Sequence, residues 1–336
     1  MNRSTKGSIL SVGLFRGLLY MLVGFLVGAL LVSVIRLLTG HPAFFAWDAT
    51  GNLYFFSEPA WVVGALFGAV AFMLGSGTVS DWLQWANGVD TPAHPTDAFE
   101  SGWKRYFSAT YDHKAIGIQY GFTSLVILGL AGVFALIFRT ELAQPGAEQV
   151  VSFQTYNTVM SLHGIVMIAG ILLGVGAMSN YLVPLMIGAN DMAFPRLNAF
   201  AYWINVPGAI ILLSSIFLGG FDTGWTGYPP LSAKAPLGMD MFFLGVYLVG
   251  LSSIFGSINI IVTTVRLRAP GMSFFRMPIF VWSSLATAVI AFSATQLIGL
   301  AFQLVLFERL FGMSFFEPTK GGDPILFQHQ LESQAD

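Results

Sequence analysis

Long, uninterrupted apolar runs dominate the chain. Leu18–Ile35, Ala60–Ser80, Ile116–Phe138, Val159–Ile187, Ala199–Phe221, Met241–Val265 and Pro278–Phe307 each extend for 18 residues or more without an Asp, Glu, Lys or Arg. A helix needs about 20 such residues to cross the hydrocarbon core of a bilayer. The pattern therefore predicts an all-α fold, a polytopic transmembrane helix bundle of about seven spanning helices. Glycines recur inside the runs at i, i+4 (Gly24 and Gly28, Gly64 and Gly68, Gly170 and Gly174). Small residues at that spacing let helix backbones approach closely.

The polar stretch Asn87–Gly102 holds Pro92, Pro95 and the acids Asp90, Asp97 and Glu100, and it reads as a linker. It divides the chain into a two-helix N-terminal transmembrane extension (1–90), a cytoplasmic linker (91–110) and a five-helix unit (111–336). No internal repeat is visible.

Composition agrees with the pattern. The 336 residues are 55% hydrophobic and 10% charged, with a mean hydropathy of +0.72. A soluble globular chain is nearer a quarter charged. The absence of cysteine excludes disulfides, iron–sulfur ligation and thiolate metal sites, but not metals held by histidine. The net charge of −2 decides little. The first apolar run is long enough to span and no small-residue cleavage site follows it, so a retained helix is expected.

The loops suggest an orientation. With the N-terminus in the cytoplasm, Arg3, Lys6, Arg16, Lys104, Arg105, Lys114, Arg196, Arg266, Arg268 and Arg276 lie inside, ten of the fifteen basic residues. Arg36, Arg139, Lys234, Arg309 and Lys320 lie outside. This asymmetry favours a cytoplasmic N-terminus.

Of five histidines, only His163 falls within a span. If its helix begins near Phe153, the imidazole sits roughly 15 Å along it, inside the hydrocarbon region. A histidine there either hydrogen-bonds a neighbouring helix or ligates a metal, and Gly164 beside it suggests room for something broad and flat. A second polar cluster lies toward the other end of the same helix: Asn180, then Asp191, the only carboxylate between Glu148 and Asp222, then Asn198. The bland reading is a solvated turn with Arg196 as counter-charge. The functional one is a mouth that collects protons for a file of water.

Several stretches together resemble subunit I of the heme–copper oxidases, of the cytochrome c oxidase type. They are Asp112-His113-Lys114-Ala115-Ile116-Gly117, Arg139-Thr140-Glu141-Leu142 with Gln144-Pro145-Gly146, Tyr181 to Gly188 running into Asp191 to Arg196, Gly224 to Leu231, and Gly321 to Leu326. Their order and spacing match from about Tyr106 to His329. The resemblance implies that His163 is an axial ligand of a low-spin heme, heme a. Arg139, Trp225 and Tyr228 would lie in the heme's vicinity, Arg139 near its ring substituents and the two aromatics in a loop above it. Tyr120, Asn180, Asp191 and Asn198 match the lower part of a proton-uptake path. Glu141 and Gly146 match a peripheral calcium or sodium site found in part of the family.

The chain departs from the family at Ala115, where an aspartate is usual, and at Asn190, where a proline is usual. After His329 it runs only to Asp336, whereas the family continues into helices bearing three copper-ligating histidines and two further heme ligands. Copper and a second heme are therefore expected only in the complete subunit, and the chain alone is not expected to reduce oxygen. The implied function is part of a terminal respiratory oxidase that passes electrons from cytochrome c to oxygen, coupled to proton uptake and pumping. The implied partners are the remainder of subunit I, subunits II and III, cytochrome c and the lipid bilayer of a bacterial plasma (inner) membrane, with no nucleic acid. The alternatives are a quinol oxidase, a non-catalytic truncated or split heme-binding protein, and an unrelated transporter.

Overall fold

The computed structural model describes residues 12–48, 50–91, 102–146 and 150–332. Half of the expected linker 91–110, residues 92–101, therefore lies outside the described residues. Among the described residues ten α-helices are formed: α1 (Gly13–Leu38), α2 (Glu58–Ser76), α3 (Ser80–Ala86), α4 (His113–Glu141), α5 (Phe153–Ile187), α6 (Pro195–Trp203), α7 (Asn205–Ser214), α8 (Gly238–Arg266), α9 (Ile279–Phe311) and α10 (Pro324–Glu332). Among the described residues, seven helical stretches are long and apolar enough to cross a membrane, with α6 and α7 together forming one of them, Pro195–Phe217.

Successive spans run antiparallel. The face at which α1 begins carries 77–91, 102–112, 188–194 and 267–278. The opposite face carries 39–57, 142–152, 218–237 and the residues after 312. The connection between α1 and α2 contains a small hairpin, β1 (Phe45–Trp47) antiparallel to β2 (Leu53–Phe55), which the helical pattern did not predict.

Local chemistry sets the helix ends. Asp112 caps α4 by accepting from the Lys114 amide at 2.8 Å. Ser152 caps α5 at the Thr155 amide, and α5 stops at Gly188, whose φ of +73° suits glycine. The α6–α7 break has an equally local cause. Pro207 has no N–H for the carbonyl of Trp203 four residues back, and the Asn205 side chain binds the neighbouring carbonyls of Ala201 and Tyr202 at 2.8 and 3.2 Å.

The glycine pairs do pack helices. A Cβ on Gly24 would lie 2.5 Å from that of Ala71, and one on Gly28 would lie 2.9 Å from the Phe67 Cβ. That contact joins α1 to α2. Outward, α1 exposes Leu22, Val23, Val27, Leu30 and Val34, as a lipid-facing helix should. Inward, α2 buries Phe72 against Trp203, so α2 lies between α1 and the rest of the bundle. The centre beneath the opposite face is aromatic, with Phe242, Phe243, Phe302, Phe316 and Phe327 all under 2% exposed.

Candidate functional site

His163 lies ten residues into α5, on the flank facing α4. Its Nδ1 is 2.9 Å from the carbonyl oxygen of Ala131, and a carbonyl can only accept. Nδ1 therefore donates this bond, and Nε2 is left free of it. An imidazole fixed in this way is oriented as a metal ligand, the carbonyl locking both tautomer and ring plane. Phe138 packs against the ring at 5.4 Å with planes 72° apart. Arg139, the next residue, is exposed at the end of α4.

The expectation for Gly164 is corrected. A Cβ there would come within 2.9 Å of the Trp225 indole. The glycine admits Trp225, and its flank is not open to a flat ligand. Trp225 in turn lines an apolar cavity of about 440 Å³ between α5, α8 and α9, together with Ile165, Leu172, Tyr247 and Phe302. Tyr228 packs elsewhere: its ring meets Phe327 edge-on at 5.6 Å, and its hydroxyl donates to Glu332 of α10 at 3.4 Å. The Glu141 carboxylate accepts from the amides of Val150 and Val151 at 2.7 and 3.1 Å, closing the loop that contains Gly146.

The second cluster gathers where α4 begins and α5 ends. Asp191 follows the end of α5 and is partly buried, with its Oδ1 accepting from the Met192 amide at 2.7 Å. Burial pushes its carboxyl above the ordinary range. The Met192 amide, the nearby His113 and a bond from the His113 backbone pull it down, Asp112 pushes it up, and the net direction is up. Two side chains of α8 hold the turn that carries it. Thr263 Oγ1 accepts from the Ala193 amide at 2.9 Å, and the Asn259 amide group exchanges both bonds with the Phe194 backbone.

Arg196 pairs with Asp81 of α3 at 2.8 Å.

Among the described residues, several buried polar atoms at this end of the bundle have no protein partner: both amide atoms of Asn198, Oδ1 of Asn180 and Nε2 of His113. Buried polar groups of that kind are satisfied by water. His113 is tied to α5 by its Nδ1, 2.8 Å from the Asn180 carbonyl. Deeper in, Tyr120 reaches Ser252 at 3.4 Å, Ser252 accepts from Asn205 at 2.8 Å, and Ser179 donates to Ser284 at 3.3 Å. These groups surround a cavity of about 90 Å³, large enough for a short file of water. Of the residues singled out in the sequence, Tyr120 and Asn180 line this cavity; Asn205, Ser252 and Ser284 line it too, and lone polar residues in spans carry no local signal.

Among the described residues, no three His, Asp or Glu side chains cluster as a metal site.

The residues from 115 to 331 match the family described as Cytochrome C and Quinol oxidase polypeptide I. The chain belongs to that family. It is 45% identical over 229 residues to cytochrome c oxidase subunit 1 of Synechocystis, covering 68% of this chain and 41% of that one. It is 43% identical over 241 residues to the subunit 1 of Thermostichus vulcanus, covering 71% and 43%. It is also 41% identical over 226 residues to a probable cytochrome c oxidase subunit 1-alpha of Streptomyces avermitilis, covering 66% and 39%. The chain thus spans about two-fifths of the length of these relatives. The family match begins inside α4, so α1, α2 and α3 precede it.

Proposed function

We propose that the chain forms the N-terminal part of subunit I of a terminal respiratory oxidase in a bacterial plasma membrane, with its N-terminus in the cytoplasm and cytochrome c as electron donor. The names of the relatives favour cytochrome c over quinol. In this reading the other partners are the rest of subunit I, which carries copper and a second heme, and subunits II and III.

The observation that carries the proposal is the Nδ1 bond from His163 to Ala131, which turns Nε2 away from α4 at a depth suited to an axial heme ligand. A low-spin heme a, when bound, supplies one-electron transfer. Phe138 keeps the imidazole edge apolar, and Arg139 offers a guanidinium to an oxygen-bearing ring substituent. Trp225 closes the flank of α5 beside Gly164 and keeps water from the ligand.

The proton half of the function rests on Asp191. Its elevated pKa lets the carboxyl exchange protons closer to neutral pH. Asn180 and Asn198 bind water above it, and the Tyr120–Ser252–Asn205 chain continues the path.

His163→Ala tests the heme assignment. In the completed oxidase the optical and paramagnetic signals of a six-coordinate low-spin heme should disappear. A variant that keeps those signals at full intensity refutes it.

A further inference from the structure

Helix α3 meets the rest of the bundle at Arg196 and Phe200, in the turn and helix that follow Asp191. Asp81, in its first turn, accepts from Arg196 Nε at 2.8 Å, with the two side chains only 15% and 9% exposed. Arg196 Nη2 donates to Thr91 at 2.8 Å, and the guanidinium lies 4.7 Å over the Trp85 ring. Trp82 stacks on Phe200, one turn further along α6, at 5.1 Å and 27°. The phenol of Tyr111 bonds to both Ser80 and Asp81. One short helix therefore grips two segments: 108–112, which leads into α4, and the turn from Asp191 into α6.

We propose that α3 braces the proton mouth and that Asp81 is a positioning residue for Asp191, holding Arg196 and Tyr111 in the segments that flank it. The inference rests on the reading of Asp191 as the mouth. Every residue of the brace except Arg196 and Phe200 precedes the family match at 115.

The charges around the site explain what the brace does. From α4, Asp191 faces Asp112 and His113, and Arg105 is committed to Asp112. From α8 it faces the turn held by the uncharged Asn259 and Thr263. Arg268 is bound to the carbonyls of Thr264 and Met272. The cation closest in sequence is Arg196, and Asp81 neutralises it. Without that carboxylate, an uncompensated guanidinium in the same turn would favour ionised Asp191, and a loosened turn would admit water. Both effects lower its titration midpoint.

The test uses the full chain in phospholipid vesicles, labelled with dicyclohexylcarbodiimide across a pH series and read at Asp191 by peptide mass spectrometry. The reagent attacks the protonated carboxyl, and Asp191→Asn identifies the labelled position. Asp81→Asn should lower the midpoint by about one pH unit, the lower end of what an opposite charge nearby produces. Labelling should then fall roughly tenfold at a fixed pH above the wild-type midpoint. Asp81→Glu should restore the wild-type profile, which loss of packing alone would not explain. Tyr111→Phe, which keeps the ion pair, should shift the midpoint in the same direction by less. If Asp81→Asn does not insert, Thr91→Ala and Trp85→Ala loosen the same cage and should lower the midpoint. A midpoint unchanged in the variants that insert overturns the brace. Failure of the mouth reading looks different: Asp191→Asn would then leave the completed oxidase fully active while the Asp81-dependent shift persisted.

Discussion

Two arginines tie the N-terminal extension to the rest of the bundle, one at each membrane face, and they do so in opposite ways. Arg309 is 2% exposed and lies against the fully buried Asp240, with Nε to Oδ1 at 2.5 Å and Nη2 to Oδ2 at 3.0 Å. Its other donors reach the carbonyls of Ser232, Ala233, Ala235 and Pro236. The extension adds Glu58, 3.8 Å away and 20% exposed, and the more distant charge of Asp48. Arg196 draws its ion-pair partner from the extension itself, through Asp81, and its guanidinium is flanked by Thr91 and Trp85. At one face the bundle satisfies its own buried cation, and the extension is an accessory. At the other the extension completes the electrostatics of the segment that follows Asp191. The same N-terminal unit is therefore an accessory on one side and the source of the buried ion pair on the other.

That contrast can be broken by mutation. Asp240→Ala should have the largest effect, because it strands a buried guanidinium. Such changes cost about 3–5 kcal/mol, which thermal unfolding in detergent would read as a large fall in the midpoint. A loss below ~1 kcal/mol would contradict the pairing.

Asp112→Ala comes next. It removes both the cap of α4 and the pair with Arg105, and a lost N-cap costs about 1 kcal/mol. Burial pushes the Asp112 carboxyl up, but the Lys114 amide and Arg105 outweigh it, so the folded pKa lies below the ordinary value. A carboxylate depressed in this way stabilises the fold above the unfolded pKa of ~3.9 and ceases to do so as pH falls through the folded value. The gap between wild type and variant should be full at neutral pH and narrow in acid. A gap that widens in acid would contradict the assignment.

The smallest effect is expected from Glu58→Gln, below ~0.5 kcal/mol for a long, partly exposed pair. A cost comparable to that of Asp240→Ala would remove the asymmetry between the two faces.

Much of the architecture was legible because lipid leaves a chain few options. A span must satisfy its backbone internally, so seven apolar runs became seven spans, and α5 begins at the expected Phe153. The arginine clamps were not legible. Arg309 and Asp240 are 69 residues apart, and Arg196 and Asp81 are 115 apart. Nothing local in either pair announces its partner. Helix α3 escaped notice because seven mixed residues carry no period, and its stability comes from Trp82 and Asp81 meeting α6. His163 stood out as the one histidine inside a span, yet its neighbour was misread. The space beside Gly164 belongs to Trp225, a residue two helices and a loop away.

The most direct test of the functional account is Asp191→Asn in the completed oxidase, with oxygen consumption and proton release measured together in vesicles. Loss of the ionisable carboxyl below Asn180 and Asn198 should slow turnover by at least about tenfold, the lower end for removing a positioned proton-transfer group. Proton release per electron should fall with it. Turnover and pumping at wild-type rates would contradict the assignment of this cluster as the proton mouth.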